Sequence, residues 1–337
     1  MKFFSSQPQV KVGLDIGTHS VKMVKLQVEN EALRLTGVGS IQPKDVTDQG
    51  MADAIKALSK QLNLNTKNVA VSVSGTQVIV RFITIPKMKE SDIRGALQFE
   101  AEKYIPFNVN DVIIEYQTLN VKDQGKKLDL VIACAKKDYV LKKVSLAESA
   151  DLVVDVVDVD GFSVMNSFLK NNADPERKGS IVLVNIGANM TNVVVLDGNT
   201  LRFSRDIHFG GKIIDSAISK RFGLDMIRAE EVRLDPKEKA AEAAECVHES
   251  MLSLFGELRL SLGYFDNQFG RAVSEVYISG GLAEASGIEK MFEENIGIKT
   301  AAWDPLKFLL IDNSSIDQKT AAKIGKSLAV AVGLALR

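Results

Sequence analysis

Val12-Gly-Leu-Asp-Ile-Gly-Thr-His-Ser-Val-Lys-Met-Val-Lys-Leu26 reads as two short strands joined by a tight turn. Residues 12–16 are apolar apart from Asp15 and suit a buried strand; Gly17, Thr18, His19 and Ser20 make the turn, and residues 21–28 return antiparallel. Gly17 allows a positive φ, so the turn can close with its backbone N–H groups pointing at one spot. A concave row of N–H groups attracts phosphate oxygens without any cationic side chain. Asp15, at the end of the incoming strand, sets a carboxylate beside that anion hole. Its placement suits a phosphate-bound Mg²⁺, which keeps most of its waters and takes one or two protein carboxylates.

Taken alone, a turn of this kind is a common polar hairpin, and recurrence is what gives it weight. Val182-Leu-Val-Asn-Ile-Gly-Ala-Asn-Met-Thr-Asn-Val-Val-Val-Leu196 has the same layout, with Val, Ile, Gly, Val and Leu at matching places and no gap. An internal repeat at this separation points to two similar half-molecules. Two such hairpins, one per half, are expected to face each other across a nucleotide cleft.

The chain of 337 residues has room for two domains, and its 45% apolar and 25% charged residues are ordinary for a globular protein. A net charge of −1 without a Lys/Arg run argues against general nucleic-acid binding. Cys134 and Cys246 lie far apart, which excludes a disulfide framework and fits a reducing compartment. The three histidines are scattered and give no metal-site spacing. Residues 1–6 lack the apolar core of a signal peptide, and the most apolar run, residues 328–336, is too short to span a bilayer. Its small residues suit a helix packed closely against a sheet. The expected product is a cytoplasmic protein without direct membrane insertion.

After the first hairpin and the turn at residues 29–31 come a strand at 33–41, a helix at 51–62 and a strand at 69–73. Residues 78–85, 90–104, 112–121, 128–135 and 138–150 then read as strand, helix, strand, strand and helix, a compact α+β unit inserted into the first half. Residues 153–159 and 162–171 return to strand and helix. Residues 172–179, polar and carrying Pro and Gly, make the clearest boundary. The second half repeats the hairpin, adds a third strand at 201–207 and a helix to about residue 222. A long helix at 238–267 with an apolar stripe, a strand at 275–279 running into Gly280-Gly281, and a terminal helix at 320–336 complete the chain.

The ordered set of Asp15 hairpin, Asp158-Val-Asp-Gly-Phe162, Asn185 hairpin, Ser279-Gly-Gly-Leu282 and terminal helix resembles the actin-like ATPase superfamily. There the pieces are phosphate 1, connect 1, phosphate 2, adenosine and connect 2. Ile85-Pro-Lys-Met88, residues 98–107, Phe209-Gly-Gly-Lys212 and the ending at residues 329–337 resemble the PilM family of type IV pilus assembly proteins. The resemblance implies an α/β protein with the actin-like ATPase fold, two similar halves around a nucleotide cleft, and an inserted α+β (SHS2-like, 1C) subdomain. Residues 1–80 would form subdomain 1A, continued by 150–176 and 319–337. Residues 81–149 would form 1C, and 177–318 the second half, with a small 2B insertion around 223–268. It further implies ATP and Mg²⁺ as ligands. The partner would be a PilN-like inner-membrane protein, its N-terminal cytoplasmic peptide held in a groove between 1A and 1C, which places the chain at the inner membrane through that partner. Other pilus-machine components, and self-association of the chain, belong to the same expectation.

Carried onto this sequence, Gly17, Thr18, His19 and Ser20 would supply amides and hydroxyls to the β- and γ-phosphates. Lys22 falls on the same face as Ser20 and reaches toward them, although an ordinary solvated lysine is equally consistent. Gly187, Ala188 and Asn189 would close from the other side. Gly210 and Gly211 would let the backbone approach the sugar, with Lys212 near the ribose or base, and Gly280, Gly281 and Leu282 would leave room for the adenosine. Asp15 and Asn185 would hold Mg²⁺ through water. The second hairpin usually carries Asp, so Asn185 removes a negative charge, and hydrolysis is expected to be slow or absent. Arg81, Ile83, Phe99, Tyr104, Ile105, Pro106 and Phe107 are the candidates for the peptide groove, with packing inside the inserted unit the competing role for each. Two other functions stay open: an FtsA-like filament protein of cell division, which would add a basic amphipathic tail not expected after Arg337, and a small-molecule kinase, for which neither a substrate subdomain nor a general base is evident.

Overall fold

The computed structural model describes residues 9–29 and 32–337, the side chains of residues 100 and 101 excepted. The N-terminal reading at residues 1–6 and the turn residues 30 and 31 lie outside the described residues. Two compact units emerge. The first runs up to Ser72 and continues with Leu141–Ala173 and Asp304–Arg337; the second comprises Val73–Val140 and Asp174–Trp303.

In chain order the elements are β1 (Gln9–Ile16), β2 (Val21–Glu29), β3 (Ala32–Ile41), α1 (Asp48–Gln61), β4 (Asn68–Val73), β5 (Val78–Pro86), α2 (Glu90–Ala101), β6 (Val112–Lys122), β7 (Lys127–Lys136), α3 (Lys137–Glu148), β8 (Val153–Val159) and α4 (Asp160–Asn171). They continue with β9 (Ser180–Ile186), β10 (Thr191–Asp197), β11 (Thr200–Ile207), α5 (Gly211–Phe222), α6 (Met226–Leu234), α7 (Ala240–Phe269), β12 (Val273–Ser279), α8 (Ile288–Ile296), β13 (Lys299–Ala302), β14 (Leu310–Ile311), α9 (Gln318–Ile324) and α10 (Ala329–Ala335).

The first unit is a six-stranded sheet in the order β14-β3-β2-β1-β4-β8. The meander β1–β2–β3 is antiparallel, and β4 joins β1 in parallel. Parallel pairing requires a crossover, which α1 supplies. Thr47 caps α1 by accepting the Gly50 N–H at 3.1 Å, and Met51, Ala54, Ile55 and Leu58 carry its apolar face onto Leu14, Met23 and Val71. On α10, small residues permit close packing on two sides. A Cβ added at Gly13 would fall inside 3.0 Å of the Ala331 carbonyl oxygen, and one added at Gly333 inside 3.0 Å of the Ser163 carbonyl oxygen. Helix α10 is therefore wedged between β1 and α4 with no space for a methyl group on either side.

The continuous terminal helix expected at 320–336 is broken. Helix α9 stops at Ile324, a 3₁₀ turn covers Gly325–Leu328, and α10 begins at Ala329. Gly325 lacks helix propensity and packs against Asp304, while the Ser327 hydroxyl donates to the Ile324 carbonyl at 2.7 Å and occupies a helix acceptor. Strands β13 and β14 and helix α6 also have no counterpart in the sequence reading. At two residues, β14 is too short for any periodicity to show.

The second unit repeats the meander as β11-β10-β9, extended in parallel by β12 and β13. Strand β9 is buried throughout, as a central strand covered on both faces must be. Its helical cover places Ile214, Ile218, Phe255, Leu258 and Phe292 in one core. The same unit contains a three-stranded antiparallel sheet, β5-β7-β6, on which α2 packs through Ile93 and Leu97. Among the described residues no helix is long and apolar enough to cross a membrane.

Candidate functional site

In the first unit, β1 and β2 pair with Asp15 opposite Lys22 and Ile16 opposite Val21, leaving Gly17–Ser20 as the turn. Gly17 does not use the positive φ that glycine allows. What requires glycine there is crowding: a Cβ would stand 2.8 Å from the Ser20 carbonyl oxygen. Asp15 is half-buried and paired with Lys22, whose Nζ lies 3.1 Å from Oδ2. Both side chains flank the turn, since a Gly17 Cβ would be 3.8 Å from Asp15 Oδ1 and 4.0 Å from Lys22 Nζ.

Two further residues of this unit belong to the cluster: Lys143, which nothing in the sequence singles out, and Asp160 of the Asp158–Phe162 stretch. Lys143 of α3 donates from Nζ to the Ile16 carbonyl, immediately before the turn. Burial pulls its ammonium below the ordinary lysine pKa, while Asp160 and Asp15 act in the opposite direction. Asp160 is the first residue of α4. Next to it, buried Asp158 accepts from Arg337 Nε at 2.6 Å and from Ser163 Oγ at 3.1 Å, which ties α4 to the end of the described chain.

In the second unit the hairpin turn closes through Gly187 N–H donating to the Met190 carbonyl at 2.9 Å. Gly187 is crowded as Gly17 is, with a Cβ 3.0 Å from the Met190 oxygen. The N-terminus of α5 abuts this turn. Gly211 N–H donates to the Gly187 carbonyl and Lys212 N–H to the Ala188 carbonyl, each at 3.0 Å. Gly210 is small for the same reason: its Cβ would run into the Ala188 carbonyl. Gly280 takes φ +94° and lies against the Ile186 backbone, whereas Gly281 faces open space and Leu282 is buried in the core. Asn189 and Lys212 are half-buried.

Behind this hairpin runs a buried polar chain. Ser279 Oγ donates to Asn185 Oδ1 at 3.2 Å, Asn185 Nδ2 donates to Asn192 Oδ1 at 2.8 Å, and Asn192 Nδ2 donates to Asp206 Oδ1 at 2.8 Å. Asp206 Oδ2 then accepts the Gly75 N–H at 2.5 Å, next to the start of the β5-β7-β6 sheet. Burial pushes the Asp206 carboxyl above the usual carboxylate range, and its two hydrogen bonds oppose the shift. Asn192 and Asp206 look like solvated strand residues in the sequence and gave no signal there.

These groups fit Mg²⁺ poorly. Asp15 is engaged by Lys22, and its charge also acts on Lys143. Asn185 is neutral, and both its oxygen and its nitrogen are used inside the protein. A divalent ion needs uncommitted carboxylates or an acidic surround. Among the described residues no group of three or more His, Cys, Asp or Glu side chains is arranged to hold a metal.

In the inserted module the seven candidate groove residues separate. Ile83 and Ile105 are buried in the module's core, and Phe107 packs partly against it beneath Lys136, whose Nζ is 5.1 Å from the ring centroid. Arg81 and Pro106 are exposed, Tyr104 is 43% exposed and Phe99 is 77% exposed. Phe99 borders a cavity of about 390 Å³, with Arg94, Leu97, Glu102, Ile114, Tyr116 and Lys137 also around it. It lies beside β6, an edge strand of the three-stranded sheet.

A meander with its parallel extension, repeated in two units, each turn closed on a crowded glycine, defines the actin-like ATPase fold. The match extends to a family: the model for type IV pilus assembly protein PilM covers residues 13–337, and the chain belongs to that family. Among solved structures, a PilM–PilN type IV pilus biogenesis complex superimposes with a TM-score of 0.87 at 26% identity, over 97% of this chain and 98% of that one. MreB5 of Spiroplasma citri bound to ADP shares the fold with a TM-score of 0.52 at 11% identity, over 96% and 94%. The cell division protein FtsA of Enterococcus hirae is 19% identical over 87% of this chain and 78% of its own length.

Proposed function

We propose that this chain is an ATP-binding scaffold of the type IV pilus assembly machine, and that it recruits the N-terminal cytoplasmic peptide of a PilN-like inner-membrane protein through its inserted module. The observation that carries the reading is the likeness, over nearly the full length of both chains, to a protein solved in complex with PilN. Nucleotide binding is supported by the Gly17–Ser20 turn with its two lysines, by the repeated turn at Gly187, and by the ADP held by a protein of the same fold. Slow or absent hydrolysis is supported by Asn185, an amide whose polar atoms are committed to Ser279 and Asn192 and which cannot act as a base. On this reading the protein works at the cytoplasmic face of the inner membrane, held there by its partner.

The test is calorimetric titration with a synthetic N-terminal peptide of the PilN-like protein, in ATP, in ADP and without nucleotide. Specific binding that is weakened by changes in the inserted module supports the adaptor. Absence of binding in every state removes the PilN-like assignment. The similarity to FtsA favours a second reading, a filament-forming protein, which ATP-dependent light scattering without any peptide would support.

A further inference from the structure

We infer that Lys143 is a phosphate-binding residue, and that with Lys22 it supplies the positive charge that nucleotides usually bring to such a site as Mg²⁺. The inference rests on the ATP-binding reading above and concerns the first unit's residues. Lys143 comes from α3, far along the chain from β1, yet its Nζ is placed on the carbonyl of Ile16, the last residue before the turn. The charges of Asp160 and Asp15 act on the same ammonium and oppose the effect of its burial. Lys22 sits on Asp15 from the turn side at 3.1 Å. The cluster therefore holds two ammonium groups and two carboxylates, a balanced set that attracts a divalent cation far less than a purely acidic one would.

A polyphosphate entering beside the turn adds negative charge, and the two ammonium groups are the nearest compensation available. Each carboxylate then loses part of its hold on a lysine, and the lysines turn their N–H donors to phosphate oxygens. The neutral, hydrogen-bonded Asn185 of the second unit agrees with a chain that does not rely on a metal. The ligand class is a nucleoside di- or triphosphate bound with little dependence on divalent cations.

The test measures ATP affinity by titration calorimetry for the wild-type protein in Mg²⁺ and in EDTA, then repeats it with Lys143→Met and Lys143→Arg. Wild-type affinity is expected to change by less than about threefold between the two buffers, because its phosphate charge is met by side chains. Lys143→Met is expected to lose about tenfold to a hundredfold in EDTA, the value of a charge-assisted phosphate contact, and to regain part of it in Mg²⁺. Lys143→Arg keeps the charge and should stay within about fivefold of wild type. Loss of wild-type binding in EDTA overturns the inference and leaves ATP binding standing. Unchanged affinity of a folded Lys143→Met protein also overturns it. Absence of ATP binding in both buffers overturns this inference and the nucleotide reading together.

Discussion

Asn185→Asp restores the charge that this hairpin position usually carries, and the structure gives its cost. Asn185 donates to Asn192 Oδ1, and Asn192 is held in that orientation because its own Nδ2 is given to Asp206. A carboxylate in place of this amide replaces the donor with an acceptor, so that two oxygens face each other at a separation now bridged at 2.8 Å. Turning the Asn192 amide over satisfies the new carboxylate but presents the amide oxygen to Asp206. One buried acceptor is left unpaired in either case, and a second carboxylate is introduced where only one is accommodated. Together these cost about 2–4 kcal/mol. For a unit of roughly 200 residues, that is a fall in melting temperature of roughly 5–15 °C. One of the two carboxyls relieves the conflict by keeping a proton, which raises its folded-state pKa above the unfolded value near about 4. A raised folded pKa means that the variant's deficit is largest at neutral pH and shrinks as the pH falls towards about 5. Differential scanning fluorimetry of both proteins across that range makes the comparison. A variant as stable as wild type at neutral pH, or a deficit that grows on acidification, contradicts this account of the polar chain.

Three further outcomes follow from the packing and the module. Gly333→Ala forces a methyl group onto the Ser163 carbonyl and is expected to cost about 3 kcal/mol, read from the urea midpoint. Cys134 is buried with its thiol pushed up to about 11, and Cys246 is buried as well, so neither should react with Ellman's reagent at pH near about 8 until denaturant is added. Phe99→Ala should leave stability within about 0.5 kcal/mol, because the ring is 77% exposed, while lowering affinity for the partner peptide about tenfold if the ring is an anchor.

Much of this architecture was legible because it is local. The β1–β2 and β9–β10 hairpins each occupy about fifteen consecutive residues, and their apolar alternation and turn glycines can be read without any neighbour. The order strand, helix, strand, strand, helix of the inserted module was visible for the same reason. The role of the glycines was less legible. Gly17 and Gly187 reflect crowding from the carbonyl three residues on, and Gly210 reflects crowding from another segment of chain. The break between α9 and α10 depends on Gly325 lying against Asp304, a tertiary fact that the small-residue run at its end does not reveal. Lys143 and Asp206 were invisible because charged residues on a helix or a strand normally meet water. Only the fold brings one to Ile16 and the other to Gly75.

The bond from Gly75 to Asp206 has a mechanical consequence. The chain enters the β5-β7-β6 sheet just after Gly75, so the sheet's root is tied to β11 by the Asp206 carboxyl rather than left as a free linker. A shift of that root relative to β11 would disturb this bond and, through Asn192, the side chain of Asn185. The seating of the sheet's root and the orientation of one amide at the end of β9 are thus set by a single run of hydrogen bonds.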